Sequence, residues 1–258
     1  MDHFTVSGAL MLDQLLTYGL QYPGYVFQAF LVGLLLKRGH WKRLSGVCVY
    51  LTLFLLLDGV ARFYTLLHYG RRSSPYYYVY WLTDVVLTLL AFALVCGFFR
   101  RACASHDRLW HNLRPLLGFL FLLLVAVSYF MIASKFHDLY SDFYYWIYQF
   151  QQNTYFACLV LTTLLYIMMQ RSGGWDEELG MLVCGMGILF AAPAAGLAGH
   201  ALLPKSEDVE IVISHLDQLC MLAMLFTWWY AITKLPHGTT VHVHVPAART
   251  QLESLSEV

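Results

Sequence analysis

The stretch Leu44–Leu67 reads LSGVCVYLTLFLLLDGVARFYTLL and decides the fold class of this chain. Crossing a bilayer core of about 30 Å as a helix takes about 20 mostly apolar residues, and this stretch is long enough. Two charged side chains, Asp58 and Arg62, interrupt it four residues apart, so they would lie on one face of a helix. The stretch therefore predicts a transmembrane helix with a polar face.

The composition of the whole chain fits the same class. Of the 258 residues, 59% are hydrophobic and 12% are charged, and the mean hydropathy is +0.57. A soluble domain carries roughly 25% charged residues, and a core of this size could not hide the additional apolar surface from water. The net charge is zero, which argues against the basic surface that a nucleic-acid-binding protein presents.

Six further apolar stretches accompany the first. In chain order the seven predicted spans are Gln21–Leu36, Leu44–Leu67, Tyr76–Phe99, Pro115–Ala133, Phe143–Met169, Leu179–Leu203 and Val209–Thr233. Lipid offers the backbone no hydrogen-bond partners, so these spans must be helical. We predict an all-α integral membrane protein with a seven-transmembrane-helix bundle at residues 21–234. Residues 1–20 are predicted to form an outer interfacial segment, and residues 235–258 a flexible cytoplasmic tail.

The basic residues of the connections predict the orientation. Eleven Lys and Arg residues lie in alternate connections and in the tail, whereas the opposite side carries four, Arg71, Arg72, Lys135 and Lys205. Basic connections stay in the cytoplasm. This distribution predicts an outer N-terminus and a cytoplasmic C-terminus.

Polar residues within the spans predict a site. Charge at the bilayer centre costs at least about 2.5–3.5 kcal/mol, so such residues face a bundle interior or a cavity. With a rise of 1.5 Å per residue, the polar residues of four spans reach similar depths in the outer half. The candidate ligand or ion residues are Asp58, Arg62, Asp84, Gln149, Gln152, Asn153, His215, Asp217 and Gln218.

The charges of this layer do not balance, because three carboxylates face one arginine. Three interpretations are open. The first is that the polar groups serve helix packing, the second is that they line an outward-open binding or sensing cavity, and the third is that they belong to a proton or ion path. In the sixth span, Pro193 lies within a run of small residues and predicts either a hinge or close helix packing.

The sequence predicts no resident cofactor, no metal site and no catalytic residue. Enzyme motifs such as GxSxG and HExxH do not occur in it. Haem b is an alternative, since His200 and His215 could ligate one iron from the same half of the membrane. A retinal Schiff base is disfavoured, because the only lysine of the seventh span is Lys234, at its margin.

Several interfacial motifs resemble those of a known group of proteins. They are the basic turn Lys37–Arg43, the aromatic run Tyr76–Trp81 with Asp84 after it, the glycine-rich sixth span, and the Trp228–Trp229 pair. In these features the chain resembles a seven-transmembrane bacterial membrane protein family of the Acidobacteria type, to which no activity is assigned. The chain departs from that pattern at Cys96–Gly97, where relatives often carry an acidic residue. The resemblance implies a bacterial inner membrane.

Two functions from different classes follow. The first is a non-enzymatic membrane subunit or accessory protein that acts within a larger membrane complex, because a helical bundle without a soluble domain must act through partners. Its partners would be the lipid bilayer and other membrane proteins or further copies of the chain, with no nucleic acid. The second is a small-ligand or ion receptor or transporter that uses the polar layer of the outer half.

Overall fold

The structure, a computed structural model, describes residues 3–70, 73–104, 107–133, 139–171, 174–202, 207–234 and 241–242. Side chains are described within residues 19–39, 41–70, 73–104, 108–130, 146–171, 176–196 and 215–234. Almost all of the described backbone is helical, as predicted.

Seven long helices make up the described fold. They are α1 (His3–Lys37), α2 (Ser45–Tyr69), α3 (Ser74–Ala102), α4 (Asp107–Ala133), α5 (Leu139–Arg171), α6 (Glu177–Leu202) and α7 (Glu207–Lys234). A short 3-10 turn, His40–Lys42, leads from α1 to α2. Gly70 ends α2 with φ of 77°, a conformation that glycine adopts without steric strain.

Six of these helices are long and apolar enough to cross a membrane. The qualifying segments are Gly19–Lys37, Ser45–Tyr69, Ser74–Ala102, Arg108–Phe130, Trp146–Arg171 and Glu177–Gly196. The chain is therefore a multi-pass membrane protein in its composition and helix lengths. The described part of α7 is not among the six, although α7 corresponds to the seventh predicted span.

Helices α1, α2, α3, α5, α6 and α7 form a closed ring in which each packs against the next and α7 returns to α1. Helix α3 also contacts α6 across the ring. Helix α4 lies outside the ring, mainly against α5, and turns large apolar side chains such as Phe119, Leu122 and Phe130 outward. Lipid is the natural solvent for such a face.

The half of the bundle nearest the α1–α2 connection is densely filled. Leu35, Leu51 and Val95 are fully buried there. Trp228 of α7 is also fully buried, and its indole Nε1 donates to the carbonyl of Leu182 on α6 at 2.9 Å. We call this half the basic half, because it carries most of the basic connections.

An ion-pair network closes the basic half at its rim. Glu178, at the start of α6, is 1% exposed and accepts hydrogen bonds from Arg43 and from Arg101, the latter at 2.8 Å. Arg101 also donates to Asp176 at 2.8 Å. The network therefore joins the ends of α2, α3 and α6.

The structure also describes part of the predicted N-terminal segment and part of the predicted C-terminal tail. Helix α1 runs without a break from His3 to Lys37, so the backbone marks no boundary near residue 20. Within the predicted tail, Val241–His242 pairs in antiparallel fashion with Gly174–Trp175. The other residues of the tail lie outside the described part.

Candidate functional site

The polar half of the bundle, around the α2–α3 connection, begins with an unusual segment of α2. Residues Leu55–Ala61 are π-helical, and Arg62 continues this pattern by donating its backbone N–H to the carbonyl of Leu57. The segment contains Gly59, and glycine is roughly 1 kcal/mol less favourable than alanine in an α-helix. Such π-helical turns are rare and occur frequently at functional sites. This one carries Asp58 and leads directly into Arg62.

Arg62 connects α2 to α3. Its guanidinium pairs with Asp58 at 2.6 Å and with Asp84 of α3. It also donates to the hydroxyl of Thr83 at 2.7 Å and to the carbonyl of Tyr80 at 3.2 Å. The guanidinium carbon lies 4.2 Å from the centre of the Tyr80 ring, so a cation–π contact adds to these bonds.

Asp58 has a second partner on α1. The hydroxyl of Tyr25 donates to its Oδ2 at 2.6 Å, and Gln21 donates to that hydroxyl at 2.9 Å. Sequence reasoning missed Tyr25. The spacing of Gln21, Tyr25 and Gln28, which gives α1 a polar stripe, is the sequence signal that could have identified it. Gln28 also bonds to α2, because its side chain donates to the carbonyl of Leu51.

A cavity of about 470 Å³ lies beside this network, between α2, α3, α5, α6 and α7. Its polar lining consists of Asp58, Arg62, Asp84, Gln152, Asp217 and Gln218, together with Gln151. Its aromatic lining consists of Tyr50, Phe54, Tyr80, Trp81, Tyr148, Tyr155 and Phe190. Ligand sites typically measure about 300–1,000 Å³ and combine apolar walls with a few polar groups.

The two sides of the cavity differ in how their charges are satisfied. Asp58 and Asp84 share the single guanidinium of Arg62. Asp217, on the α7 side, is exposed to the cavity and makes no ion pair or hydrogen bond with any described residue. The side-chain amide of Gln152 on α5 is likewise without a hydrogen bond to the described residues. The cavity therefore has one bonded wall and one wall with free polar groups.

Two predicted site residues face elsewhere. Gln149 donates to Asn153 at 3.2 Å, and Asn153 donates to the hydroxyl of Ser128 on α4 at 3.0 Å. Asn153 thus links α5 to the peripheral helix α4, and neither amide lines the cavity. They share a helix with Gln152 but lie on a different face of it.

His215 does not line the cavity either. His215 is buried, and its Nδ1 lies 3.4 Å from the side-chain oxygen of Gln218. The side chain of His200 lies outside the described residues, so the haem alternative stays a prediction. Over the described part of the chain, no group of three His, Cys, Asp or Glu side chains could hold a metal ion.

Helix α6 contributes the feature that sequence reasoning had left outside the site. Pro193, with Ala192 and Gly196, lines the cavity opposite the Arg62 network. The residues that the sequence predicts as a hinge or a packing surface therefore line part of the cavity.

A comparison with known protein families, with curated proteins and with solved structures found no match to this chain. The resemblance drawn from the interfacial motifs stays a prediction.

Proposed function

We propose that this chain is a membrane receptor that binds a small organic cation in the cavity between α2, α3, α5, α6 and α7. The observation that carries the proposal is the carboxylate of Asp217, which faces the cavity without an ion-pair partner among the described residues. A carboxylate that faces a cavity within a helix bundle in a membrane needs a cation, water or a proton, because an uncompensated charge is costly there.

The chemistry of the remaining lining supports a cationic ligand. The whole lining of the cavity carries three carboxylates and one arginine, so its ionised form is net negative. Tyr148, Tyr155 and Trp81 add aromatic surface, and aromatic faces attract organic cations. The unbonded amide of Gln152 offers a further contact for a polar substituent.

Helix packing accounts for the Arg62 network but not for Asp217. The bonds of Arg62 to Asp58, Asp84 and Thr83 tie two helices together, as polar groups in membranes commonly do. Asp217 makes no ion pair or hydrogen bond that would join two helices within the described structure. An unpaired carboxylate adds nothing to helix packing, whereas in a binding site it can pair with a cationic ligand.

A receptor accounts for the cavity better than a transporter does. The cavity occupies the polar half, while the basic half is filled by fully buried residues such as Leu51, Val95 and Trp228. A transporter would need a route through that packing. The accessory-subunit hypothesis stays a prediction without a specific observation in its favour.

We further propose seven transmembrane spans, with α7 as the seventh. The basic connections support an outer N-terminus and a cytoplasmic C-terminus, so the cavity would open towards the outer side. The resemblance of the interfacial motifs supports a bacterial inner membrane.

The decisive experiment compares three probes with the same ring and different charge. Tryptamine, tryptophol and indole-3-acetate are titrated against the purified protein in neutral detergent, and thermal unfolding is recorded. A ligand that binds the folded state raises the melting temperature with concentration. We expect tryptamine to raise it, tryptophol to have a smaller effect and indole-3-acetate to have none.

The variant Asp217→Asn serves as the matched control, since it keeps the size of the side chain and removes its charge. We expect it to abolish the advantage of tryptamine over tryptophol. If none of the three probes changes the melting temperature, the cavity is not a binding site for such ligands. A response to indole-3-acetate alone would contradict its charge preference.

A further inference from the structure

Two neighbouring arginines at the end of α3 have opposite surroundings. Arg101 pairs with Asp176 and with the buried Glu178. Arg100 is exposed and makes no ion pair or hydrogen bond with any residue that the structure describes. Asp176 and Glu178 therefore pair with Arg101 and Arg43, and Arg100 has no anionic partner among the described residues.

A second cavity lies against Arg100, at the junction of α3 and α4. Its volume is about 590 Å³, and its lining residues are Arg100, Cys103, Ala104, Trp110 and Arg114. Arg114 is exposed, one helical turn beyond Trp110 on α4, and it too lacks an ion pair or hydrogen bond to the described residues. We call this site the arginine pocket.

The charge of the arginine pocket is unbalanced in the opposite sense to that of the first cavity. Its described lining holds two guanidinium groups and no carboxylate. Two arginines that share one cavity repel each other, and an anion between them removes that repulsion. The planar guanidinium donates paired hydrogen bonds that match the oxygens of a phosphate group, which explains its frequent use in phosphate sites.

The arginine pocket lies near the ends of two apolar segments, where the headgroups of a bilayer would be. Arg100 lies in the last turn of an apolar segment that ends at Ala102, and Arg114 lies in the segment Arg108–Phe130 near its start. Trp110 is the third residue of the segment Arg108–Phe130, and tryptophan favours the headgroup level of a bilayer. Basic pockets between transmembrane helices are suited to anionic headgroups.

We infer that the arginine pocket binds a phosphate group, carried either by the headgroup of an anionic phospholipid or by a soluble phosphate ester. Arg100 and Arg114 contact the phosphate oxygens from α3 and α4, and Trp110 borders the group. The site is independent of the cation cavity, which lies in the other half of the bundle. A bound headgroup would also fix α4 to the ring, where it otherwise packs mainly against α5.

The test uses the full chain in two settings that separate the two sources. In the first, the melting temperature is compared between nanodiscs of phosphatidylcholine and nanodiscs that contain phosphatidylglycerol. In the second, glycerol 3-phosphate is titrated in neutral detergent without lipid. We expect the anionic lipid to raise the melting temperature, and the double variant Arg100→Gln/Arg114→Gln to lose most of this rise.

The control is Arg171→Gln, which removes one exposed arginine from the end of α5, outside the arginine pocket. It should keep the rise caused by phosphatidylglycerol. A rise with glycerol 3-phosphate that the double variant loses assigns the site to soluble esters. An equal rise in the double variant and in Arg171→Gln overturns the site, and so does the absence of any rise in both settings. If the double variant does not fold, the single variants Arg100→Gln and Arg114→Gln carry the same comparison.

Discussion

Arg62 of α2 and Asp84 of α3 form an ion pair across the interface of their two helices, and the same guanidinium holds Asp58 within α2. The side chains of this triad are 13–16% exposed. Because the guanidinium is also bonded to Thr83 and Tyr80, its position is fixed from several directions. The triad gives the cavity a rigid wall, against which the free carboxylate of Asp217 stands on the other side.

The two aspartates should therefore respond differently to the same substitution. Asp84→Asn weakens a charged bond and leaves Asp58 as the only anionic partner of Arg62, so we expect a loss of about 1–3 kcal/mol in the free energy of unfolding. Asp217→Asn removes no bond to a described residue and should change that energy by less than about 0.5 kcal/mol. Thermal unfolding in one detergent measures both. Equal destabilisation by the two variants would mean that Asp217 is a structural residue.

A second pair of variants separates cavity residues from packing residues on α5. Gln152 lines the cavity, whereas Asn153, the next residue, bonds to Ser128 of α4. We expect Gln152→Ala to reduce the tryptamine-dependent rise in melting temperature and to leave the basal value unchanged. Asn153→Ala should lower the basal value by the equivalent of about 0.6 kcal/mol, the average worth of a hydrogen bond between helices in a membrane. It should leave the tryptamine response intact, and the reverse pattern would contradict the assigned faces.

Much of the bundle could be predicted from the sequence because apolar length is a strong signal. The lipid environment forces each long apolar stretch into a helix. The ends of α2, α3, α5, α6 and α7 lie within about four residues of the predicted spans, whereas α4 begins at Asp107, before the predicted Pro115. The bundling of Asp58, Arg62 and Asp84 could also be predicted, since charge in a membrane must face inward. Counting residues from the end of each predicted span placed the three side chains at similar depths in the membrane.

The rotation of each helix could not be predicted in the same way. Gln149, Gln152 and Asn153 fit one face by spacing, yet the packing of α4 against α5 draws Gln149 and Asn153 away from the cavity. The contribution of Tyr25 was missed because an interfacial tyrosine usually needs no partner. These details depend on contacts between helices that are far apart in sequence.

The ion-pair network at the basic rim gives a third prediction. Glu178 is 1% exposed and receives both Arg43 and Arg101. Glu178→Gln removes the carboxylate that pairs with Arg43 and one of the two that pair with Arg101, and losing a hydrogen bond to a charged group costs about 1.5–3 kcal/mol. We expect a large fall in melting temperature. The control is Glu177→Gln, because Glu177 forms no ion pair with the described residues, and a comparable fall there would show that the effect is not specific to the network.

The contact between Gly185 of α6 and Trp228 of α7 gives the last prediction. A Cβ atom at Gly185 would lie 2.6 Å from the indole Nε1 of Trp228, which is the atom that donates to the carbonyl of Leu182. Gly185→Ala must therefore displace a fully buried tryptophan and its hydrogen bond, and overpacking of this kind destabilises by about 1–3 kcal/mol. At Gly187, two residues along α6, the nearest atom would be the hydroxyl oxygen of Thr162 at 3.7 Å, an ordinary contact. Gly187→Ala should consequently keep the melting temperature and Gly185→Ala should lower it, together with a shift in tryptophan fluorescence. If both variants melt alike, α6 and α7 do not pack as closely as this contact requires.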